Sequence, residues 1–509
     1  MTHDAVKHRA LITGCAMGAT LMQALDSTIA NVALPYMQGS LSTTSDEITW
    51  VLTSYVIAAA IMTAPVGWMA NRFGRKNLFV VCLAGFTAAS MLCGAAQSLQ
   101  QMVLFRLLQG VFGAALVPLS QATMLDIYPI ERRAAAMAIW GIGVMVGPIL
   151  GPTLGGYLTE YYNWRWVFYV NLPFGLLAIL GLLAFMPKED ADATLRFDWT
   201  GFAVLALGLG AFQLMLDRGQ DQDWFSSREI ITEATLAALG FYLFIVHLFT
   251  AEQPFLPPRI FRDRNFVAGV AMMFLVGMVL LATSALLAPY LQNLANYPVD
   301  TTGLVMAPRG IGTMVAMILA GRLGTRIDQR KLMAIGLLAL TWSLYDMSLW
   351  TPDVSEQRLI TTIVVQGFGM GITFNPLAVI SFATLAPELR GDGTALLSLF
   401  RNIGAAIGIS VTSFSLARFT QVSHADLAAH VTPFNDLLRH PLVGHFLDPA
   451  TAAGASLLDV AINRQAAIIA YCDDYRLMMV ASLTALLLLP LMHRGRRAAP
   501  AGRKHAAMD

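Results

Sequence analysis

Leu34-Pro35-Tyr36-Met37-Gln38 returns as Ala288-Pro289-Tyr290-Leu291-Gln292, 254 positions further along the chain. The echo is not isolated. Gly67, with Arg72 five residues on, returns as Gly321 and Arg326 at the same offset, and Gln109-Gly110 returns as Gln366-Gly367. Pro129-Ile130-Glu131-Arg132 returns as Pro387-Glu388-Leu389-Arg390. Four matches in one order at one spacing mark an internal duplication, and a repeat of this kind fixes the architecture before any single residue is interpreted.

What is duplicated is a set of membrane spans. Of 509 residues, 56% are hydrophobic and only 13% charged, where soluble domains carry about 25% charged residues. Charges fall in short clusters between apolar runs of roughly 18 to 25 residues, long enough to cross ~30 Å of hydrocarbon. Such runs lie near 11–35, 47–70, 77–97, 101–125, 134–158, 166–187, 199–217 and 231–251. Six more lie near 265–291, 303–323, 332–350, 358–385, 393–417 and 476–492. Each is expected to be a helix, because a segment in lipid must satisfy its own backbone. The expected fold is all-α and integral to the membrane, with fourteen spans.

The repeat covers the first six spans and the last six. It predicts an N-terminal bundle over 1–190, an inserted helix pair over 191–262, a C-terminal bundle over 263–493 with a long outer loop at 418–474, and a tail over 494–509. Both counts are even, so the halves keep one orientation, the parallel design in which rocking about a central site gives alternating access. Lys and Arg fix the direction. Arg72, Arg75 and Lys76, then Arg132 and Arg133, the stretch from Arg259 to Arg264, that from Arg322 to Lys331, and Arg494, Arg496 and Arg497 all fall on one side. Opposing loops at 36–46, 97–101 and 293–301 carry neither residue. Both termini are therefore expected in the cytoplasm. The apolar run after Lys7-His8-Arg9 has no A-x-A-like cleavage site and is expected to be the first span.

A net charge of +1 gives no field for nucleic acid, and the four cysteines form no disulfide framework. The sequence has no H-E-x-x-H, nucleophile elbow or phosphate loop, which argues against an enzyme and an ATP-driven pump. His424, His430, His440 and His445 in the outer loop lack the close spacing of a helical metal site, and no metal is expected. That loop is expected either to form short amphipathic helices that dock a partner or to be an idle cap.

Few polar residues lie within the spans. Asp26 sits about fifteen residues into the first, roughly 22 Å along its axis. A carboxylate at depth costs on the order of 2.5–3.5 kcal/mol, so it pairs, faces water or takes a proton. It is either a site that binds and releases a proton or a permanently paired structural acid. Arg106, in Phe105-Arg106-Leu107-Leu108-Gln109-Gly110, lies at comparable depth. It either stabilises that acid or snorkels to the interface. Gly143, Gly147, Gly151 and Gly155 form a stripe of small residues for close helix approach, and the adjoining Pro148 and Pro152 are expected to bend the fifth span. The loop from Gly67 to Lys76 is a positive anchor or a gating latch. Asn31, Gln109, Arg309, Asn375 and Arg401 are candidates to line the substrate cavity; Arg309 and Arg401 contact either an anionic substrate or a helix end. Asp346 is expected near the outer interface in contact with solvent.

These residues resemble the major facilitator superfamily, in particular its 14-span drug:proton antiporter branch of EmrB/QacA type, over nearly the whole chain. Leu25-Asp26-Ser27-Thr28-Ile29-Ala30-Asn31-Val32-Ala33-Leu34-Pro35 is similar to that branch's first-span signature. Gly67, Asn71, Arg72, Gly74, Arg75 and Lys76 are similar to its loop motif, and the stretch from Arg106 to Gly113 to its fourth-span motif. Gly147-Pro148, Gly151-Pro152 and Gly155-Gly156 resemble its antiporter motif; the stretch from Asn163-Trp164-Arg165-Trp166 to Asn171-Leu172-Pro173 also fits. The loop motif usually has Asp where this chain has Asn71, so a hydrogen bond would have to replace a charge there. The resemblance implies proton-driven antiport of amphipathic or lipophilic compounds (drugs, bile-salt-like detergents or fatty acids) across a bacterial inner membrane. Asp26 and Arg106 would couple it, with no cofactor beyond the proton gradient. It also implies a periplasmic membrane-fusion adaptor and an outer-membrane channel as partners. A dedicated exporter of one native metabolite would use the same scaffold.

Overall fold

The computed structural model describes residues 8–188, 192, 194–324, 326–431 and 451–493. Among them the long elements are all helices. The first six are α1 (Arg9–Leu41), α2 in two pieces (Trp50–Thr63 and Val66–Phe73), α3 (Arg75–Ala95), α4 (Leu99–Ile127), α5 (Ile130–Tyr161) and α6 (Trp166–Phe185). Next come α7 (Trp199–Arg218) and α8 (Arg228–Thr250). The last six are α9 (Arg264–Leu294), α10 (Thr301–Leu323), α11 (Gln329–Met347), α12 (Glu356–Ser381), α13 (Arg390–Ala429) and α14 (Ala452–Leu488). Helix starts carry side-chain caps where the sequence supplies them. Ser98 accepts from Gln101 N, Asp198 from Gly201 N and Asp263 from Phe266 N, each satisfying a donor the first turn leaves free.

Ten of these helices are long and apolar enough to cross a membrane, eleven if the two pieces of α2, bent by 59°, count as one. The remaining three, α1, α5 and α11, are the ones that carry Asp26, the glycine stripe and a charged first turn at Arg330 and Lys331. Fourteen spans were expected; length and composition carry ten or eleven.

The last two helices depart from expectation more sharply. The outer segment 418–474 was expected to be a loop with short helices, but α13 runs unbroken to Ala429 and α14 already begins at Ala452. His424 Nε2 meets Asp459 Oδ1 at 3.0 Å between these extensions. His440 and His445 lie outside the described residues, as do Arg494, Arg496 and Arg497.

Packing follows the repeat. α1 lies on α5 and α6, and α2 on α4; in the second half α9 lies on α13, and α12 on α10 and α11. The two halves meet at the end carrying the basic loops, where α10 and α12 pack on α5, and α13 packs on α2 and α4. α7 and α8 pack on each other, and α7 also touches α2 and α13. Thr53 Oγ1 donates to Asp217 Oδ2 between α2 and α7, and Trp224 after α7 packs edge-on against Phe414 of α13 at 5.6 Å.

Candidate functional site

Asp26 is fully buried where α1 crosses α2, α4 and α6. Its Oδ2 accepts from Arg106 Nη1 at 2.7 Å, and its Oδ1 from Gln109 Nε2 at 2.8 Å and Asn171 Nδ2 at 3.2 Å. Arg106 is also fully buried, which removes the snorkelling alternative. Its Nε donates to Val51 O at 3.0 Å and its Nη1 also reaches Gln109 Oε1 at 2.8 Å. The guanidinium carbon stands 4.3 Å from the centre of the Tyr55 ring, a cation–π contact that desolvation strengthens. Asn171 Nδ2 in turn donates to Ser90 Oγ at 3.0 Å.

The chemistry of this cluster is that of one charge pair held by neutral dipoles. Five helices contribute, and every oxygen of the carboxylate is satisfied. Removing one partner of such a buried pair leaves an uncompensated charge, a penalty of about 3–5 kcal/mol. A proton arriving at Asp26 would do the same to Arg106, so protonation and local packing are coupled here.

The glycine stripe sets the site's backbone. A Cβ on Gly147 would lie 2.5 Å from Ala24 Cβ, and one on Gly151 would lie 2.0 Å from Thr28 Oγ1. The stripe thus seats α5 directly on the turn of α1 that carries Asp26. Gly155 faces Ile29, whereas Gly143 and Gly156 have nothing nearer than 3.6 Å and 4.0 Å.

A sequence model of the family described as Major Facilitator Superfamily matches residues 16–409. The chain belongs to the major facilitator superfamily. Within it the chain is of EmrB type: it is 35% identical over 422 residues to the multidrug export protein EmrB of Escherichia coli, 82% of each chain. It is 34% identical over 477 residues to the fatty acid resistance protein FarB of Neisseria gonorrhoeae, 93% of each. The solved structure of the proton:xylose symporter XylE superposes with a TM-score of 0.59 at 14% identity, covering 94% of this chain and 95% of that one; this likeness concerns the fold. A major facilitator protein is a multi-pass membrane transporter and not an enzyme.

A second cluster of this facilitator lies in the seam between its halves. Asp126, near the end of α4, is bridged by Arg75 at the start of α3 and by Arg390 Nη1 at the start of α13, the latter at 2.9 Å. Asn375 Nδ2 on α12 donates to Ala134 O on α5 at 3.2 Å, and Trp140 stacks on Phe374 at 6.0 Å. The loop motif supports this seam. Gly67 touches Asp392 so closely that a Cβ would sit 2.6 Å from the Asp392 Cα, and Gly74, at φ 81°, turns the chain into α3. Lys76 Nζ donates to Leu183 O at 2.7 Å and Met186 O at 2.5 Å, and Arg72 Nη1 to Asp192 O at 3.4 Å. The Asn71 side chain is exposed; its carbonyl accepts from Asp192 N at 3.0 Å. Asp126, and not position 71, thus carries the negative charge. Thr194 donates through its hydroxyl and its N–H to the Asp192 carboxylate, which holds that group below the usual carboxylate range.

Of the other sequence candidates, Asn31 is exposed on α1, Asn375 is buried in the seam, and Arg309 and Arg401 are half-buried in the second half. Asp346, expected to be solvated, is instead tied to Arg358 Nη2 at 2.7 Å and accepts from Trp350 Nε1 at 3.2 Å. Asn171, Tyr55, Asp126 and Arg390 were not singled out from sequence as functional. Of these, Arg390 stood in a repeated string whose partner could not be read.

Proposed function

We propose that this chain is a proton-coupled antiporter that exports amphipathic or lipophilic compounds from the cytoplasm by alternating access. The observation carrying this reading is the Asp26–Arg106 pair. An ionisable group at membrane depth marks a coupling site by default, and this one has a single cation for a partner. In the proposed cycle, Asp26 takes a proton from outside, Arg106 loses its counter-charge, and the α1–α4 contact relaxes. Loss of the proton to the cytoplasm restores the pair. The seam at Asp126 and Asn375 is the cytoplasmic gate, closed in this conformation. The names of two relatives, a multidrug export protein and a fatty acid resistance protein, support export of apolar compounds.

In this reading all fourteen helices span a bacterial inner membrane with both termini in the cytoplasm. The 1–190 and 263–493 bundles rock about each other, with 191–262 as an inserted pair. The helical extensions of α13 and α14 face the periplasm, where an adaptor leading to an outer-membrane channel would bind.

The test is efflux from proteoliposomes of a fluorescent lipophilic cation and of an anionic detergent, driven by an imposed proton gradient. Wild type should export at least one of them, and Asp26→Asn should lose the gradient-driven component while remaining folded. Gradient-driven efflux at the wild-type rate in Asp26→Asn would make Asp26 structural and overturn the assignment.

A further inference from the structure

Two arginines deep in the second half have no acid for a partner. Arg309 on α10 donates from Nη1 to Ser284 Oγ at 2.6 Å, and from Nη2 to Leu280 O at 3.3 Å and Thr283 Oγ1 at 3.4 Å. All three are neutral oxygens of α9. Arg401 on α13 makes a single long bond, from Nη2 to Asn402 Oδ1 at 3.4 Å. No described carboxylate lies close enough to influence either guanidinium. Arg106, by contrast, is fully neutralised by Asp26.

The two positions converge on one stretch of α9. Arg309 is bonded to residues from Leu280 to Ser284, and the Arg401 carbonyl presses on Gly277, where a Cβ would lie 2.3 Å from it. Leu280 and Ser284 lie ten or more residues before the end of α9, roughly 15–20 Å along its axis. Arg309 therefore points into the middle of the span and does not snorkel. Tyr475 of α14 adds a polar group to the same region. Its hydroxyl is buried without a hydrogen-bond partner, within electrostatic range of Arg309.

Both arginines keep partial solvent access despite their depth. A guanidinium has five N–H donors, and most of those on Arg401 are unused. Holding two unpaired cations at this depth is unfavourable, and hydrogen bonds to neutral oxygens only partly offset it. A transient counter-anion would complete the arrangement, since planar bidentate donors match a carboxylate or sulfonate.

We propose that Arg401 and Arg309 bind the anionic headgroup of the transported amphiphile, with Arg401 as the primary contact, so that the substrate class is anionic with an apolar body. This rests on the export reading above and narrows it. The apolar tail needs no specific partner; the charge supplies the selectivity.

The test is equilibrium binding to the purified full chain in lipid nanodiscs, without a gradient, using radiolabelled laurate and tetraphenylphosphonium as anionic and cationic probes. Arg401→Gln should weaken laurate binding by about tenfold or more and leave tetraphenylphosphonium within about twofold. Arg401→Lys, which keeps the charge, should hold laurate within about threefold, and Arg309→Gln should show an intermediate loss. Wild type that fails to bind laurate overturns the proposal. So do glutamine variants that bind laurate normally, or that lose both probes equally while unfolding at the wild-type temperature. If Arg401→Gln does not fold, Arg401→Lys and Arg309→Gln decide by the same criteria. Arginine-dependent laurate binding in a protein that exports nothing would sink the export reading and leave this site standing.

Discussion

Arg390→Gln removes the ion pair that ties α13 to α4 across the seam. That pair is 2.9 Å long, and its side chains keep only 12% and 20% of their exposure. It is screened less than a surface pair, which contributes about 0–1 kcal/mol, and hydrogen bonds to charged groups reach roughly 1.5–3 kcal/mol. Asp126 keeps Arg75 after the substitution, so no carboxylate is stranded, and the loss falls near 1–2 kcal/mol. That is about a 5- to 30-fold shift from the closed to the open seam. Dyes on cysteines placed at the exposed Asn77 and Ile327, in a variant lacking the four native cysteines, would report the two populations by single-molecule energy transfer. Arg75→Gln is the control, because Arg75 and Asp126 belong to the same half and their pair does not cross the seam. A closed fraction unchanged in Arg390→Gln, or lowered equally by Arg75→Gln, would refute the reasoning.

Three further outcomes follow from the same geometry. Gly147→Val must push α5 off α1, since its Cβ would meet Ala24 at 2.5 Å; overpacking of this kind costs about 1–3 kcal/mol, seen as a lower unfolding temperature. Gly143→Ala, with its nearest neighbour at 3.6 Å, should stay within about 0.5 kcal/mol of wild type. Gln109→Leu strips one donor from Asp26 and one acceptor from Arg106, so detergent-solubilised protein should lose about 1–3 kcal/mol or more in denaturant unfolding. Thr53→Val removes the donor that joins α2 to Asp217 of α7; hydrogen exchange at the Asp217 end of α7 should accelerate, and Thr53→Ser should restore protection.

The spans and the two depth-matched charges were legible because lipid penalises polarity so strongly that any exception stands out. Asp26 and Arg106 announce themselves on those grounds, and their contact follows from similar depth. Asn171 does not, since an amide in an apolar helix carries no comparable signal. Asp126 and Arg390 sit beside loops, where charge is ordinary, and only the docking of one half on the other reveals the bridge. The ends of α13 and α14 were missed for a related reason. Beyond residue 417 the chain turns polar, which ends an apolar run without ending a helix, and Ala-rich stretches such as 425–429 and 465–470 continue the helix in water.

Those long helices have a mechanical meaning. α14 has 37 residues and α13 has 40, about 55–60 Å each, close to twice the ~30 Å of hydrocarbon. Each is a stiff rod whose inner part belongs to the moving half and whose outer part stands clear of it. With about 30 Å of rod beyond the fulcrum, a tilt of roughly 10° would sweep the tip through about 5 Å. A clamp on that tip would register every stroke of the cycle, and a clamp that could not yield would stall it.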